Sequence, residues 1–249
     1  ITGEILRYKD TDGQPIVTKI LDSAGQKGTG KWTVVSALDH GVPLSLIAES
    51  VFSRFISSMK SDRVKASPLF STPAKGPVID KKQFVDDIRK ALYASKIVSY
   101  AQGFNLLRSA AGEYKWDLNY GEIAMIWRGG CIIRSAFLNK IYEAYTRDPG
   151  LPNLIMDGYF TSILKENSES WRKVIAGAVR DGVPVPAMSA ALAWFDSYRS
   201  AWLPANLLQA QRDYFGAHTY QRIDKPEGEV FHTNWTGRGG DTASSTYNA

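Results

Sequence analysis

Apolar residues along most of this chain recur every three or four positions, which is the spacing of one face of an α-helix. The strongest example is residues 81–113, whose middle part, 91–111, is rich in small and apolar residues nearly all round. Such a segment is typical of a central helix that packs on several sides. Asp80, with Gln83 three residues later, resembles a capping box and predicts where this helix begins.

The same periodicity predicts further helices on both sides of the central one. They cover part of 3–21 and then 31–39, 44–60, 121–127, 131–146, 157–180, 187–202 and 205–215. Three prolines predict a loop over 61–80. Because alternation of period two is scarce, the predicted fold class is all-α, with a large helical domain and an extended C-terminal tail.

We predict that the helical domain covers 1–220 and the tail 221–249. Composition changes after Tyr220, and residues 232–249 contain almost nothing to bury, so composition alone favours disorder there. The alternative is a segment that crosses a partner subunit and is ordered by Trp235 and Tyr247. The sequence Gly-Val-Pro interrupts helical segments at 41–43 and again at 182–184, which is weak evidence for an internal repeat.

Composition limits the classes of protein to consider. With 249 residues, 44% of them hydrophobic, the chain can bury one sizeable core or two small ones, and no apolar run is long enough to span a membrane. The net charge of +5 is spread without a polybasic block, which favours a small anionic ligand over nucleic acid. Since the first residue is Ile1, we expect the chain to start part-way through a longer protein.

The single cysteine, Cys131, excludes an internal disulfide and fits a reducing compartment. It lies in the apolar run 131–133, so we predict a small buried hydrophobe rather than a nucleophile. Neither this cysteine nor the three histidines have the spacing of metal ligands, and we predict no metal site.

The chemistry of the sequence is concentrated in the glycine-rich stretch 22–32. Three glycines within six positions flank Lys27, and Lys31 opens an apolar helical pattern. Glycines let the backbone approach a ligand, and the amino end of a helix attracts anions. The stretch therefore predicts an anion site, while the alternative is a flexible connector with solvated lysines.

A P-loop is a second interpretation of the same stretch. Gly25 and Gly30-Lys31 match the start of that motif, and residues 16–21 are a possible preceding strand. However, Trp32 stands where a P-loop needs a hydroxyl group for Mg²⁺. Binding of a nucleoside triphosphate is thus the weaker alternative.

Further cationic side chains are candidates for anion binding. Arg54 lies in an apolar helical segment, where it either pairs with an acid such as Glu49 or faces an anion bidentately. Arg212 and His218 lie near the predicted end of a helix, with Gly216 as a possible stop, and either complement the helix dipole or bind an anionic group.

Two more arginines flank a Gly-Gly pair at 129–130. Arg128 and Arg134 either cap backbone carbonyls at a packing corner, which spacing favours, or hold another anion.

Long ungapped blocks of the sequence resemble decarboxylating 6-phosphogluconate dehydrogenase. The resemblance runs from the first residues to Ala249 and is carried by 22–32, 91–96, 99–104, 125–135, 203–206 and 209–218. The last of these blocks reads Gln-Ala-Gln-Arg-Asp-Tyr-Phe-Gly-Ala-His. Blocks of this length are far more specific than any short motif.

The resemblance implies an enzyme that oxidises 6-phosphogluconate with NADP and then releases CO₂ to give ribulose 5-phosphate, without a metal. It also implies a cytoplasmic homodimer of the pentose phosphate pathway. In this family an N-terminal Rossmann domain carries most of the NADP site, and a large helical domain forms the dimer. The resemblance also implies that the C-terminal tail, 221–249, threads into the partner subunit.

This sequence lacks the Rossmann domain and begins after the family's general-base lysine and acid glutamate. The resemblance therefore implies the substrate-binding and dimer-forming half, inactive without the N-terminal part, and assigns no catalytic residue here. The alternative is a helical dimerisation module without catalysis.

The resemblance also implies roles for individual residues. Lys27 and Arg54 match positions that contact the substrate phosphate, and Arg212 and His218 match a pair donated across the dimer into the neighbour's substrate pocket. The tail positions that match contacts to the neighbour's NADP are Ser244, Ser245, Thr246 and Tyr247.

Overall fold

Helices form nearly all the regular structure of the chain in a computed structural model, which describes residues 1–77 and 80–237. They are α1 (Thr2–Arg7), α2 (Thr29–Asp39), α3 (Ser45–Ser58), α4 (Lys60–Ala66), α5 (Lys81–Tyr114), α6 (Tyr120–Ile126), α7 (Leu138–Arg147), α8 (Gly158–Arg180), α9 (Pro186–Tyr198) and α10 (Ala205–Gly216). Short 3₁₀ helices cover Ile16–Lys19, Ser67–Leu69 and Leu154–Met156. Strand β1 (Tyr220–Gln221) pairs antiparallel with β2 (Val230–Phe231). The predicted all-α fold class is confirmed.

The central helix of the fold is α5, whose 34 residues extend about 50 Å. Its start agrees with the predicted cap, because the Asp80 side chain accepts a hydrogen bond from the Gln83 N–H at 2.9 Å. The helix ends where Lys115 turns left-handed, with φ of 58°.

Small residues along α5 allow its neighbours to approach closely. Ala91, Ala94 and Ala101 have no exposed surface, and they lie in the same core cluster as Phe160 and Trp171 of α8. Alanine leaves room for the large rings of a facing helix, so the two helices interdigitate at the density of a protein interior.

Buried polar side chains of α5 fix the positions of other helices. Gln102, with no exposed surface, accepts from the Leu46 N–H at 3.1 Å and donates to Ser45 Oγ at 3.2 Å. It thereby caps the amino end of α3. Nearer the start of α5, Asp87 accepts from Ser170 Oγ of α8 at 2.8 Å.

The two Gly-Val-Pro interruptions share one geometry. Gly41 and Gly182 have φ of 61° and 65°, and the valine after each donates to a carbonyl five residues earlier at 2.8 Å. This is the Schellman arrangement, in which a glycine in the left-handed region ends a helix. The matching turns join α2 to α3 and α8 to α9.

Two predicted segments differ most from the structure in where they begin and end. The loop predicted for 61–80 contains α4 and a 3₁₀ turn, because neither glycine nor proline interrupts 60–67 and Arg63, Lys65 and Ala66 favour a helix. The helix predicted for 131–146 begins only at Leu138, and 131–137 form turns after Gly130, whose φ is 66°.

The apolar run 131–133 is the source of two wrong predictions, the start of the helix at 131 and the burial of Cys131. Cys131 is only partly buried, and the Ile132 side chain is 91% exposed. An apolar run without helical spacing does not show which neighbour covers it, whereas Leu138, Ile141 and Tyr145 recur at helical spacing and are buried.

Contacts divide the chain after Phe195 into a first unit, 1–195, and a second unit that begins at Asp196. The first unit contains the core around α5. The second contains α10 and the pair of strands. The domain boundary predicted after residue 220 stays a prediction.

Candidate functional site

A glycine-rich loop, 22–28, leads into the amino end of α2. Gly28, directly before the helix, has φ of 102°, a conformation that favours glycine, and the Trp32 ring lies against it. Gly30 approaches α3 so closely that a Cβ atom there would lie 2.9 Å from Val51 Cγ2. Gly30 thus allows the first turn of α2 to lie directly against α3, while Gly28 allows the sharp turn before it.

Asp22 fixes the start of this loop. Its carboxylate accepts from Lys60 Nζ at 2.5 Å and from Arg63 Nη1 at 3.0 Å. The Lys60 ammonium and then the Arg63 guanidinium lower the pKa of Asp22 to about 2. Arg63 Nη2 also donates to the Asp22 and Ser57 carbonyls, each at 2.9 Å, and so joins the loop to the last turn of α3.

The loop that carries Lys27 lies against the turn of α3 that carries Arg54. The Ala24 N–H donates to Ser57 Oγ at 2.9 Å, and Ser57 Oγ donates to the Arg54 carbonyl at 2.7 Å. The Lys27 and Arg54 side chains are exposed, and neither forms an ion pair with any residue that the structure describes. Two such cations on adjoining segments are available to an external anion.

The alternatives for this region disagree with the geometry. Arg54 forms no ion pair with Glu49, although both are in α3. The strand that a P-loop requires before its glycines is missing, since Ile16–Lys19 is a 3₁₀ helix followed by extended chain. The hydrogen bonds of Asp22 and Ala24 also show that the loop is tethered rather than a free connector.

Arg212 and His218 lie at the carboxyl end of α10, as predicted. Arg212 is exposed and its Nη1 donates to Gln209 Oε1 at 3.0 Å. The helix ends at Gly216, where a Cβ atom would lie 3.1 Å from Cδ2 and Nε2 of His218. The missing side chain at Gly216 therefore leaves room for the imidazole ring.

His218 lies between two residues in a rare backbone conformation. Ala217 has φ of 50° and Thr219 has φ of 55°, both in the left-handed region that residues with a Cβ avoid. Each such residue costs about 1–3 kcal/mol and persists only where surrounding contacts determine it. Backbone of this kind is often found at binding sites.

No sequence motif identified Asp213, yet its carboxylate accepts four hydrogen bonds. Its carboxylate has no exposed surface. Oδ1 accepts from the Thr219 N–H and from His232 Nδ1, each at 2.9 Å. Oδ2 accepts from the Thr233 N–H at 3.0 Å and from Trp235 Nε1 at 2.9 Å. Burial raises the pKa of Asp213, but these hydrogen bonds outweigh burial and leave the pKa below its ordinary value.

These contacts correct one prediction from composition. Residues 232–235 were predicted to be disordered, but the Asp213 carboxylate orders them by accepting hydrogen bonds from three of the four. Asp213 could not be recognised from local spacing, since its donors lie 6 to 22 residues away. The predicted NADP contacts at 244–247, Ser244, Ser245, Thr246 and Tyr247, lie outside the described residues.

Arg128 and Arg134 do not cap a packing corner. Within 1–77 and 80–237, no carbonyl accepts a hydrogen bond from either side chain, and Arg128 Nη1 contacts only Met125 Sδ, at 3.8 Å. Both arginines line an open cavity of about 390 Å³ together with Ser135 and Asn139. The prediction that they cap carbonyls is wrong.

Two general features of the described chain complete the description. No three His, Cys, Asp or Glu side chains come together there as a metal site would require. No helix in the same part of the chain combines the length and apolar character needed to cross a bilayer.

Comparison with known proteins identifies relatives of the whole chain. The family model described as 6-phosphogluconate dehydrogenase, C-terminal domain, matches residues 1–235. The decarboxylating 6-phosphogluconate dehydrogenase of Ovis aries is 58% identical, and the match covers 100% of this chain and 52% of that protein. The protein of the same name from Haemophilus influenzae is 59% identical, with coverage of 99% and 51%.

A solved structure of the Plasmodium falciparum 6-phosphogluconate dehydrogenase has the same fold. It superposes with a TM-score of 0.89 at 44% identity, over 94% of this chain and 50% of that one. The chain thus spans about half the length of the curated relatives that it matches. It belongs to the 6-phosphogluconate dehydrogenase family and corresponds to the C-terminal domain of that family.

Proposed function

We propose that this chain is the substrate-binding and dimer-forming half of a decarboxylating 6-phosphogluconate dehydrogenase. The whole enzyme oxidises 6-phosphogluconate with NADP and releases CO₂ to give ribulose 5-phosphate, as a cytoplasmic enzyme of the pentose phosphate pathway. Membership of the family is the observation that carries this proposal. The Plasmodium falciparum relative, which is described in complex with NADP⁺ and with 6-phosphogluconate, supports it.

The proposed ligand is anionic at both ends, with a phosphate on one side and a carboxylate on the other. We assign the phosphate to Lys27 and Arg54, whose charges have no partner among the described residues. A guanidinium binds phosphate bidentately, and each charge-assisted hydrogen bond contributes roughly 1.5–3 kcal/mol. The hydrogen bonds of Asp22 to Arg63 contribute by holding the glycine-rich loop, which carries Lys27, against the last turn of α3.

Arg212 and His218 are assigned to the substrate site of a second copy of the chain. The support is an apolar face next to them on α10, where Leu207, Leu208 and Phe215 are 63%, 59% and 93% exposed. An apolar patch of this kind is typical of an interface between subunits. A partner that covers this face would receive Arg212 and His218 from the same helix end.

NADP is assigned the role of hydride acceptor, with its main site in the amino-terminal half of the enzyme. The general base and acid are assigned to that half as well, so none of the residues of this chain is given a catalytic role. The tail positions proposed to touch the neighbour's cofactor are Ser244, Ser245, Thr246 and Tyr247.

The phosphate assignment is tested by titrating 6-phosphogluconate into the chain in a calorimeter. Lys27→Ala and Arg54→Ala each remove about 1.5–3 kcal/mol of binding free energy, so the Kd is expected to rise about 10- to 150-fold. Melting temperatures should stay close to the parent value, because both side chains are exposed. Lys165→Ala, at another exposed lysine, is the matched control. Unchanged affinity in either site variant would refute the assignment.

The enzymatic role is tested by adding a separately produced amino-terminal half of the Ovis aries relative. Formation of NADPH from NADP and 6-phosphogluconate in the mixture, and in neither half alone, is the expected result. A dimer that binds the added half but stays inert would favour the alternative of a dimerisation module without catalysis.

A further inference from the structure

Asp213 connects three parts of the second unit that are separate in sequence. They are helix α10, the turn 217–219 that carries His218, and the segment 232–235. We propose that Asp213 is a positioning residue, which holds His218 and the segment 232–235 in the arrangement that binding of the sugar phosphate requires. The assignment rests on the proposed function for the role of His218, and on the structure for the contacts.

The turn around His218 is held from both sides by α10. The Ala217 N–H donates to the main-chain carbonyl of Asp213 at 2.9 Å, and the Thr219 N–H donates to Asp213 Oδ1 at 2.9 Å. Gln209 Nε2 then donates to the Thr219 carbonyl at 2.6 Å. These three bonds keep Ala217 and Thr219 left-handed, so the backbone on both sides of His218 is fixed.

The remaining hydrogen bonds of the Asp213 carboxylate hold the segment 232–235. His232 Nδ1, the Thr233 N–H and Trp235 Nε1 all donate to the same carboxylate. The Tyr220 hydroxyl of β1 forms a further hydrogen bond with Thr233 Oγ1. A change at the carboxylate is therefore transmitted to the turn and to this segment together.

The carboxylate charge itself is required by this geometry. Both oxygens accept two hydrogen bonds each, so an amide in the same place would direct its NH₂ group at two donors. Within the described residues no lysine or arginine pairs with Asp213, and its carboxylate is stabilised by N–H donors, one of them on the His232 ring. A buried charge without a cationic partner is costly unless its hydrogen bonds are all satisfied, so the network specifies one arrangement.

The test is NMR spectroscopy of the 249-residue chain and of its Asp213→Asn variant. The chain has three histidines, so the His218 ring signal can be assigned by replacing each in turn. In the variant we expect the His218 ring signal to shift and its response to added 6-phosphogluconate to be lost. Amide exchange at 219 and 233 should accelerate about tenfold, since each loses one supporting hydrogen bond of about 1.4 kcal/mol. Asp224→Asn, in the exposed pair with Arg222, is the matched control and should change none of these signals.

Two further variants separate the positioning role from a general loss of structure. Trp235→Phe removes one donor to Oδ2 but leaves the Thr219 bond, so exchange at 233 should accelerate while the His218 signal stays in place. If Asp213→Asn does not fold, Gln209→Leu takes its place, because it loosens the turn from the Thr219 carbonyl and leaves the carboxylate intact. Because Gln209 Oε1 also accepts from Arg212 Nη1, this variant releases the Arg212 side chain as well. Gln209→Leu is then expected to move the His218 ring signal and to leave amide exchange at 233 at the parent rate.

The outcomes distinguish the two proposals. A folded Asp213→Asn chain with the parent His218 signal and the parent response to 6-phosphogluconate would overturn the positioning role. If the parent chain itself shows no His218 response to 6-phosphogluconate, the proposed function of His218 fails. In that case an unshifted ring signal in the Asp213→Asn variant would overturn the positioning role as well, and a shifted signal would support it.

Discussion

Replacing Gln102 with methionine tests whether the central helix determines the start of α3. Gln102 is completely buried, and it is the acceptor for the Leu46 N–H at 3.1 Å and the donor to Ser45 Oγ at 3.2 Å. Methionine keeps the unbranched shape of glutamine but has only a weak acceptor, so the Leu46 N–H loses its partner. An unsatisfied buried donor costs about 1–3 kcal/mol.

That cost is large enough to measure as a shift in melting temperature. For a domain of about 150–250 residues, each kcal/mol lowers the melting temperature by about 2–4 °C, so Gln102→Met should melt about 2–12 °C below the parent. Because α3 carries Arg54, binding of 6-phosphogluconate should weaken too. The assay is thermal unfolding followed by circular dichroism, and calorimetric titration gives the affinity.

Two comparisons make this result specific. Gln26→Met replaces an exposed glutamine of the glycine-rich loop and should leave the melting temperature nearly unchanged. Ser45→Ala should destabilise the parent more than it destabilises Gln102→Met, since the Ser45 contact is already lost there. If Gln102→Met unfolds at the parent temperature, the capping role of Gln102 is refuted.

Two more predictions concern the ends of the proposed site. In Gly216→Ala the new Cβ atom would lie 3.1 Å from the His218 ring, so the ring must move by a few tenths of an ångström. The affinity for 6-phosphogluconate, measured by calorimetry, should therefore fall, while the melting temperature should change little. Lys60 and Arg63 lower the pKa of Asp22 from 3.8 to about 2. Because the pKa of Asp22 is lower in the folded chain, the ionised Asp22 carboxylate stabilises the fold fully above pH 3.8, and this contribution is lost as the pH falls through about 2. Asp22→Asn removes the contribution, so the urea midpoint of the variant should depend less on pH in that window.

Matched controls are available for both. Gly158→Ala, outside the proposed site, adds a Cβ atom with no neighbour within 4 Å and should not affect binding. Asp117→Asn removes an exposed carboxylate for which the described residues provide no partner, and its pH profile should follow that of the parent. An unaltered affinity in Gly216→Ala, or an unaltered pH profile in Asp22→Asn, would contradict the corresponding prediction.

Local signals in the sequence determined much of this protein. Helical spacing predicted α5 to within one residue at its end, and the Asp80 cap marked its start, because both depend on contacts within a few residues. The two Gly-Val-Pro turns and the position of the glycine-rich loop before α2 were readable for the same reason. The block-by-block resemblance identified the family, and it is also the source of the phosphate role that we propose for Lys27 and Arg54.

Only the tertiary structure decided which side chains are buried and which form hydrogen bonds with each other. Ile88 and Leu92 have the same helical spacing as Ser95 and Val98, yet they are 39% and 58% exposed while the other two are buried. Periodicity shows which face of a helix is apolar. How much of that face is buried depends on the other helices that pack against it, and these are distant in sequence.

Asp213 illustrates the same limit for function. Nothing within four residues of it indicates that its carboxylate is buried or that it holds the turn at His218 and the segment 232–235. Its partners come from 219 to 235, and a hydrogen bond between such positions exists only after the chain has folded back on α10. Short-range patterns therefore specified the helices and the candidate cations, whereas the arrangement of those cations depends on long-range burial and hydrogen bonding.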